Sequence, residues 1–171
     1  MKYYHLNFNI DKKIYSDFFW KNYYKGEWYR FELHEKQNPK LIWWKLYEEV
    51  DKFTIDLQHE LNIFGMNNFP RYQYQFPNTY LPYHLDEDQL TGIMFNLRSK
   101  EITINYMQNN KSVSVGYQAL VSHVGNCLHA VYPDQEARLV LKFSIRHPWE
   151  EVLERLDKKN LLLEGNNPLT S

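Results

Sequence analysis

The sequence predicts an α+β fold, with helices packed on one side of an antiparallel, strand-rich core. Three observations carry this expectation. Aromatic residues reach 17%, with 14 Tyr, 10 Phe and 5 Trp, a density that suits sheet faces and concave pockets better than a helical bundle. The first third of the chain places apolar residues at helical spacing. From Phe69 onward, short alternating runs follow one another, separated by turn residues. The length of 171 residues supports one domain with a real core and is too short for two ordinary ones.

The elements follow in order. Tyr15 to Tyr24 reads as a short helix. Asn38-Pro39 resembles an N-cap followed by proline at the first helical position. After it, Trp43, Leu46, Val50, Phe53, Leu57, Leu61 and Phe64 recur at steps of three and four. That spacing predicts one helix of about seven turns, which Gly65 is placed to end. The expected helical buttress runs from about 11 to about 65. Strands are then expected at Arg71–Phe76, Gly92–Leu97, Glu101–Met107, Ser112–Val115, Ala119–Val124, Leu128–Tyr132 and Ala137–Ile145. Asn109-Asn110, Gly125-Asn126 and Pro133-Asp134 separate several of them as turns. The expected strand core spans about 69–146, and a last helix about 148–159 carries Trp149, Val152, Leu153 and Leu156 on one face.

Composition narrows the function classes. Lys and Arg number 20 against 21 Asp and Glu, so no basic excess points to a nucleic-acid backbone. The lone Cys127 excludes an internal disulfide framework and a Cys-rich zinc site, and fits a reducing compartment. No apolar run approaches the ~20 residues that span a bilayer, and the N-terminus lacks the apolar stretch of a secretory signal. The expectation is a soluble cytoplasmic or intracellular protein. The scarcity of Ala beside abundant Asn, Lys, Tyr, Ile and Phe reflects an AT-rich source genome, such as that of a phage or a low-GC microbe.

Of the seven His, His84 is the informative one, because it stands in Tyr83-His84-Leu85-Asp86. On extended backbone, residues i and i+2 point to the same side, so the imidazole of His84 and the carboxylate of Asp86 converge. That pair suits a divalent metal, and a third ligand must come from elsewhere. His129 is the second imidazole candidate, and His123 is a rival six residues before it. Two His and one carboxylate on one octahedral face leave positions open for substrate and oxygen. Arg138 then begins a strand whose inward face carries Arg138, Val140, Lys142 and Ser144. An inward cation needs an anionic partner, and a guanidinium can hold a carboxylate by two parallel hydrogen bonds. Cys127 reads as a small buried apolar residue, Glu87 and Asp88 as a solvated loop, and Trp43 and Trp44 as helix core and rim.

These elements, in this order, resemble the Fe(II)/2-oxoglutarate-dependent oxygenases, particularly the prolyl-hydroxylase-like branch. The resemblance covers about Arg71 to Ile145. It implies a double-stranded β-helix, or jelly roll, buttressed by N-terminal helices. It matches His84, Asp86 and His129 to the iron ligands and Arg138 to the anchor of the 2-oxoglutarate tail, with Lys142 as a rival anchor on the same strand face. Tyr74 and Asn96 match positions near the cosubstrate. Many members carry a Gly-Gly-x-Leu strand after the His-x-Asp segment, where this chain has Ser99-Lys100-Glu101-Ile102-Thr103. The implied activity is hydroxylation with Fe(II), O2 and 2-oxoglutarate, yielding succinate and CO2. Retention of Asp86 favours hydroxylation over halogenation, because a halide would need its coordination position. The implied substrate is a peptide or protein side chain, with proline as the first candidate, or else a small molecule. The competing readings are a non-catalytic β-sandwich that serves as a binding or virion-associated module, and a cupin-type metal enzyme.

Overall fold

In the computed structural model of the chain, the described residues are 3–30, 43–47, 51–86 and 89–163. They form eleven strands and three α-helices: β1 (Tyr3–His5), α1 (Lys12–Asn22), β2 (Glu27–Arg30), β3 (Trp43–Tyr47), α2 (Lys52–Glu60), β4 (Asn68–Gln75), β5 (Leu81–His84), β6 (Thr91–Asn96), β7 (Ile102–Gln108), β8 (Lys111–Tyr117), β9 (Ala119–Ser122), β10 (His129–Val131), β11 (Arg138–Ile145) and α3 (Trp149–Asp157). A single 3₁₀ turn at Tyr23–Lys25 follows α1. The strands make two antiparallel sheets, one ordered β1-β9-β6-β11-β4-β3-β2 and the other β5-β10-β7-β8. Face to face they form the jelly-roll sandwich that the sequence predicts. No described helix is long and apolar enough to cross a membrane.

Strand β11 sits in the middle of the larger sheet, between β6 and β4. Its side chains alternate with period two. Leu139, Leu141, Phe143 and Ile145 join a buried cluster with Tyr15 and Phe19 of α1, Leu57 and Leu61 at α2, and Trp149, Val152 and Leu156 of α3. The three helices therefore cover one face of the larger sheet. Val140, on the other face, packs with Met94, Ile104, Tyr106, Val115 and Leu120 between the sheets. Across that layer the Tyr106 hydroxyl donates to Ser122 Oγ at 2.8 Å, which ties β7 to β9.

The local chemistry explains the element boundaries. Asn109 and Asn110 both adopt positive φ (49° and 61°) in a two-residue hairpin that pairs Gln108 with Lys111. Asn is among the few residues that accept this backbone, and the turn's twist matches the flanking strands. Helix α3 starts after Pro148, with Glu150 and Glu151 in its first turn, where negative charge complements the helix dipole.

The expected seven-turn helix is corrected. Trp43–Tyr47 is strand, and only Lys52–Glu60 of that stretch is α-helix; Asn38, Pro39 and Val50 lie outside the described residues. The helix begins at Asp51 because a capping box starts it there. Asp51 Oδ1 accepts from Thr54 N at 2.8 Å, and Asp51 N donates to Thr54 Oγ1 at 3.2 Å, satisfying two otherwise unpaired donors. It ends at Leu61, before Asn62 (φ 59°) and Gly65 (φ 80°). Upstream, the backbone of β3 pairs with β4 from Trp44 opposite Gln75 to Tyr47 opposite Tyr72. Steps of three and four over a short apolar run do not separate helix from strand, and a neighbouring strand edge decided the outcome. The segment 11–65 thus holds strands β2 and β3 beside its helices.

Tyr72 links these layers. Its ring is almost fully buried, and its hydroxyl donates to Asp51 Oδ2 at 2.8 Å, so β4 holds the carboxylate that caps α2. Hydrogen bonds to charged groups contribute about 1.5–3 kcal/mol. Tyr72→Phe should therefore lower the unfolding free energy by roughly that amount in denaturant titration, leaving the ring packing intact.

Burial also makes the fold alkali-sensitive. The Tyr15 phenol is pushed up from 10.0 to about 12, first by burial and then by the carboxylates around it. Tyr72 and Tyr106 are raised as well, again chiefly by burial. Unfolded phenols ionise near pH 10. Above that pH the unfolded chain releases protons that the folded chain keeps, so stability falls as pH rises through the interval up to the folded values. Thermal midpoints measured from about pH 8 to about pH 11 should decline beyond about pH 10; a rise over that range would contradict the burial of these hydroxyls.

Candidate metal centre

Strand β5 ends at His84, and antiparallel β10 places His129 directly opposite it. The two imidazole centroids lie 4.3 Å apart. His84 Nδ1 is 2.8 Å from Pro82 O, and His129 Nδ1 is 3.0 Å from Cys127 O. A carbonyl only accepts, so each contact assigns the ring proton to Nδ1 and turns Nε2 toward the carboxylate. Asp86 Oδ1 stands 3.3 Å from His84 Nε2 and 3.8 Å from His129 Nε2. Three donor atoms, all within 4.8 Å of one another, therefore face one point.

The electrostatics suit a cation at that point. Burial pushes the His129 imidazole down to about 4, with His84 and Lys142 adding to the effect against Asp86, so it is neutral at ordinary pH. Burial works against ionisation of Asp86, yet Lys142, His84 and His129 together hold its carboxyl well below the usual range. Two imidazole Nε2 atoms and a carboxylate oxygen converge there, and a positive ion that takes the place of any proton between them would be bound by all three. Two nitrogens and one oxygen on a single side fit a divalent first-row metal that keeps further positions open. The residues present thus fit the metal that the sequence motif implies. Among the described residues, this is the only His, Cys, Asp or Glu group so arranged.

The donors line one end of a cavity of about 170 Å³ between the two sheets. One wall is β11, with Arg138, Val140 and Lys142. Beside it, β4 presents Arg71, Gln73 and Gln75, since Arg138 pairs with Gln75, Val140 with Gln73 and Lys142 with Arg71. Leu81, Met94, Ile104 and Val131 supply apolar surface. Lys142 Nζ donates to Asp86 Oδ2 at 2.6 Å. Arg138 is 6% exposed and its guanidinium bonds the Tyr117 hydroxyl, which burial pushes up and Arg138 draws back down. No carboxylate among the described residues pairs with Arg138.

The sequence-predicted residues thus fall into two groups. His84, Asp86, His129, Arg138 and Lys142 all line the cavity. Tyr74 and Asn96 do not. Tyr74 lies on the opposite face of β4, its ring 5.9 Å from Phe19 and 5.2 Å from Trp20. Asn96 is fully buried opposite Val140, but its amide serves the turn after β6. Nδ2 donates to Lys100 O and Gln118 Oε1, and Oδ1 accepts from Arg98 N. His123 stacks flat on Trp149 at 5.3 Å, outside the donor cluster. Glu87 and Asp88 lie outside the described residues.

Tyr117, Gln73, Gln75 and Gln89 also line the cavity, although the sequence did not single them out. The alternation Arg71-x-Gln73-x-Gln75 carries the signal for β4. Its aromatic phase joins the helix-covered apolar layer, leaving the polar phase for the cavity. Nothing in the sequence singles out Tyr117. Gly125 has a supporting role. A Cβ there would lie 2.4 Å from Gln89 O, so only glycine lets this turn pack against the loop that bears Asp86 and Gln89. Asp86 N donates to Val124 O at 3.2 Å in the same contact.

No family model matches the sequence, and no curated protein does. Solved structures do match in shape. A prolyl-4-hydroxylase from Pseudomonas putida superposes with a TM-score of 0.62 at 12% identity, covering 85% of this chain and 92% of that one. A prolyl hydroxylase from Trichoplax adhaerens, in complex with a hypoxia inducible factor oxygen degradation domain peptide fragment, gives 0.60 at 8% identity, with 92% and 86% covered. A non-heme alpha ketoglutarate dependent epimerase of nogalamycin biosynthesis gives 0.55 at 8% identity, with 82% and 75% covered. At these identities the likeness establishes a shared fold, the jelly roll with its helical buttress, and the chemistry must be argued from the residues of the cavity.

Proposed function

We propose that the protein is an Fe(II)- and 2-oxoglutarate-dependent oxygenase that hydroxylates a peptide or protein side chain, with a prolyl residue as the first candidate. The observation that carries this reading is the pairing of two features in one cavity. One is a three-donor face from His84, Asp86 and His129. The other is Arg138, a buried guanidinium whose described partner is the neutral Tyr117 hydroxyl. A buried cation without a counter-charge is costly, so the cavity is built to receive an anion at that end. A dicarboxylate spans both needs, chelating at the metal with one end and meeting the guanidinium with the other.

His84, Asp86 and His129 would hold iron(II), which when bound would supply the oxidising chemistry that couples O2 and the oxidative decarboxylation of 2-oxoglutarate to hydroxylation of a C–H bond. The chain's own residues do the rest. The carbonyls of Pro82 and Cys127 orient the imidazoles. Arg138, steadied by Tyr117, takes the distal carboxylate, which a planar fork grips by two hydrogen bonds. Met94, Ile104 and Val140 keep that wall apolar. The peptide assignment draws support from two structural neighbours that are prolyl hydroxylases, one of them with a peptide bound.

Asp86→Asn should abolish both divalent-metal binding and succinate formation from 2-oxoglutarate while the far-ultraviolet circular dichroism stays unchanged. Metal retained at full affinity in that variant would sink the ligand assignment. Arg138→Ala should weaken 2-oxoglutarate binding by roughly 30-fold or more, corresponding to about 2–5 kcal/mol for a truncated buried charge pair, with metal affinity unchanged. Arg138→Lys should recover only part, because a point charge cannot reproduce the fork. Calorimetric titration with manganese(II) in place of iron reads both constants, and normal 2-oxoglutarate affinity in Arg138→Ala would remove the cosubstrate from this wall. Incubating the iron-loaded protein with 2-oxoglutarate, O2 and proline-containing peptides should add the mass of one oxygen atom to the peptide, with one succinate and one CO2 formed per hydroxylation.

A further inference from the structure

Two cations share the cavity face of β11, and their partners differ. Arg138 has no described carboxylate partner, whereas Lys142 is engaged with Asp86. We infer that Lys142 is a positioning residue that clamps the outer oxygen of Asp86, so that the carboxylate offers the metal a single oxygen in a preset orientation. This rests on the metal reading proposed above.

The division of labour between the two carboxylate oxygens carries the inference. Lys142 Nζ lies 2.6 Å from Oδ2, while the contacts with His84 and His129 Nε2 both fall on Oδ1. A lysine that took the metal's position would sit on Oδ1, between the carboxylate and the imidazoles. Because it sits on the other oxygen, a metal can enter the donor face without displacing the ammonium. Asp86 is then held at two points, by its backbone N–H on Val124 O and by its outer oxygen on Lys142. With Oδ2 occupied, rotation to a two-oxygen grip on the metal is blocked.

The fold makes deliberate room for this clamp. Lys142 is 6% exposed, and it lies opposite Met94 on β6 and Arg71 on β4. Its stem passes over Gly92, where an added Cβ would stand 3.2 Å from Lys142 Cε and 3.3 Å from Val124 Cγ1. A larger residue at 92 would crowd the lysine and the segment that holds the Asp86 backbone. Glycine thus gives the ammonium its path to Oδ2. Partners that orient metal ligands typically contribute 10–100-fold to metal affinity.

The test is equilibrium binding of cobalt(II) to the full-length chain, read by visible absorption, for wild type, Lys142→Met, Lys142→Arg and Gly92→Ala. Wild type should bind one cobalt(II) ion. Lys142→Met should bind it about 10–100-fold more weakly, with an altered ligand-field spectrum because the freed Oδ2 can now coordinate. Lys142→Arg should recover part of the affinity, since a guanidinium can still reach the carboxylate. Gly92→Ala keeps the charge but displaces the stem, so it should weaken binding in the same direction, and it stands in if Lys142→Met does not fold. Equal or tighter binding by Lys142→Met, with an unchanged spectrum, overturns the clamp and makes Lys142 a competitor or a bystander. Absence of cobalt(II) binding by the wild type overturns the metal reading itself, and the clamp with it.

Discussion

The register of β11 is the constraint on which the rest depends. One strand in the middle of the larger sheet carries four large apolar side chains toward the helices and two cations toward the cavity. Strand periodicity is two, so a slip of one residue would drive Arg138 and Lys142 into the apolar layer and expose Leu139, Leu141 and Phe143 to the cavity. Burying either cation among those residues would cost far more than any single packing contact returns. The apolar face and the charged face therefore specify the same register independently, and both neighbours, β4 and β6, are aligned by it.

The charges placed by that register then organise the site. Lys142 finds Asp86, and the bond positions the carboxylate that faces two imidazoles. Each imidazole is oriented by a carbonyl two residues upstream in its own chain segment, Pro82 O for His84 and Cys127 O for His129. That local contact fixes the tautomer without help from distant residues. Arg138, four residues before Lys142, is left with a neutral partner. The asymmetry between the two cations gives the cavity a direction, with the three-donor face at one end and the Arg138 guanidinium at the other.

Much of this was legible in the sequence, for identifiable reasons. His84 and Asp86 are two residues apart, a spacing that converges on extended backbone; in the structure β5 ends at His84, and the Asp86 N–H on Val124 O holds the carboxylate beside it. The inward phase of β11 could be read because its other phase is uniformly apolar. The phase of β4 could not be read so easily, because Tyr72 and Tyr74 alternate with Arg71, Gln73 and Gln75 and either set could line a pocket. Tyr74 turns away from the cavity because the helices offer an aromatic partner layer, Phe19 and Trp20, that a strand pattern does not display. Asn96 lies opposite Val140, but its amide is consumed by a turn whose geometry depends on Arg98, Lys100 and Gln118. The long helix failed for a related reason. Trp43 to Tyr47 carries no intrinsic signal against helix, and the edge of β4 decided the matter.

The fold by itself says little about chemistry, because one architecture hosts many unrelated activities. What distinguishes this chain is that one buried charge, Arg138, has no carboxylate partner among the described residues, against the general rule that buried charges are paired. A structural sandwich would satisfy Arg138 internally, or replace it with an apolar residue at no loss of stability. It would also have no reason to aim two carbonyl-oriented imidazoles at a carboxylate already claimed by a lysine. Each arrangement favours a ligand of opposite charge: a cation at the donor face and an anion at Arg138. The same two ligands, bound together, would bring a divalent cation and an anion into one cavity, and it is this joint requirement, more than the resemblance in shape, on which the proposal of catalysis rests.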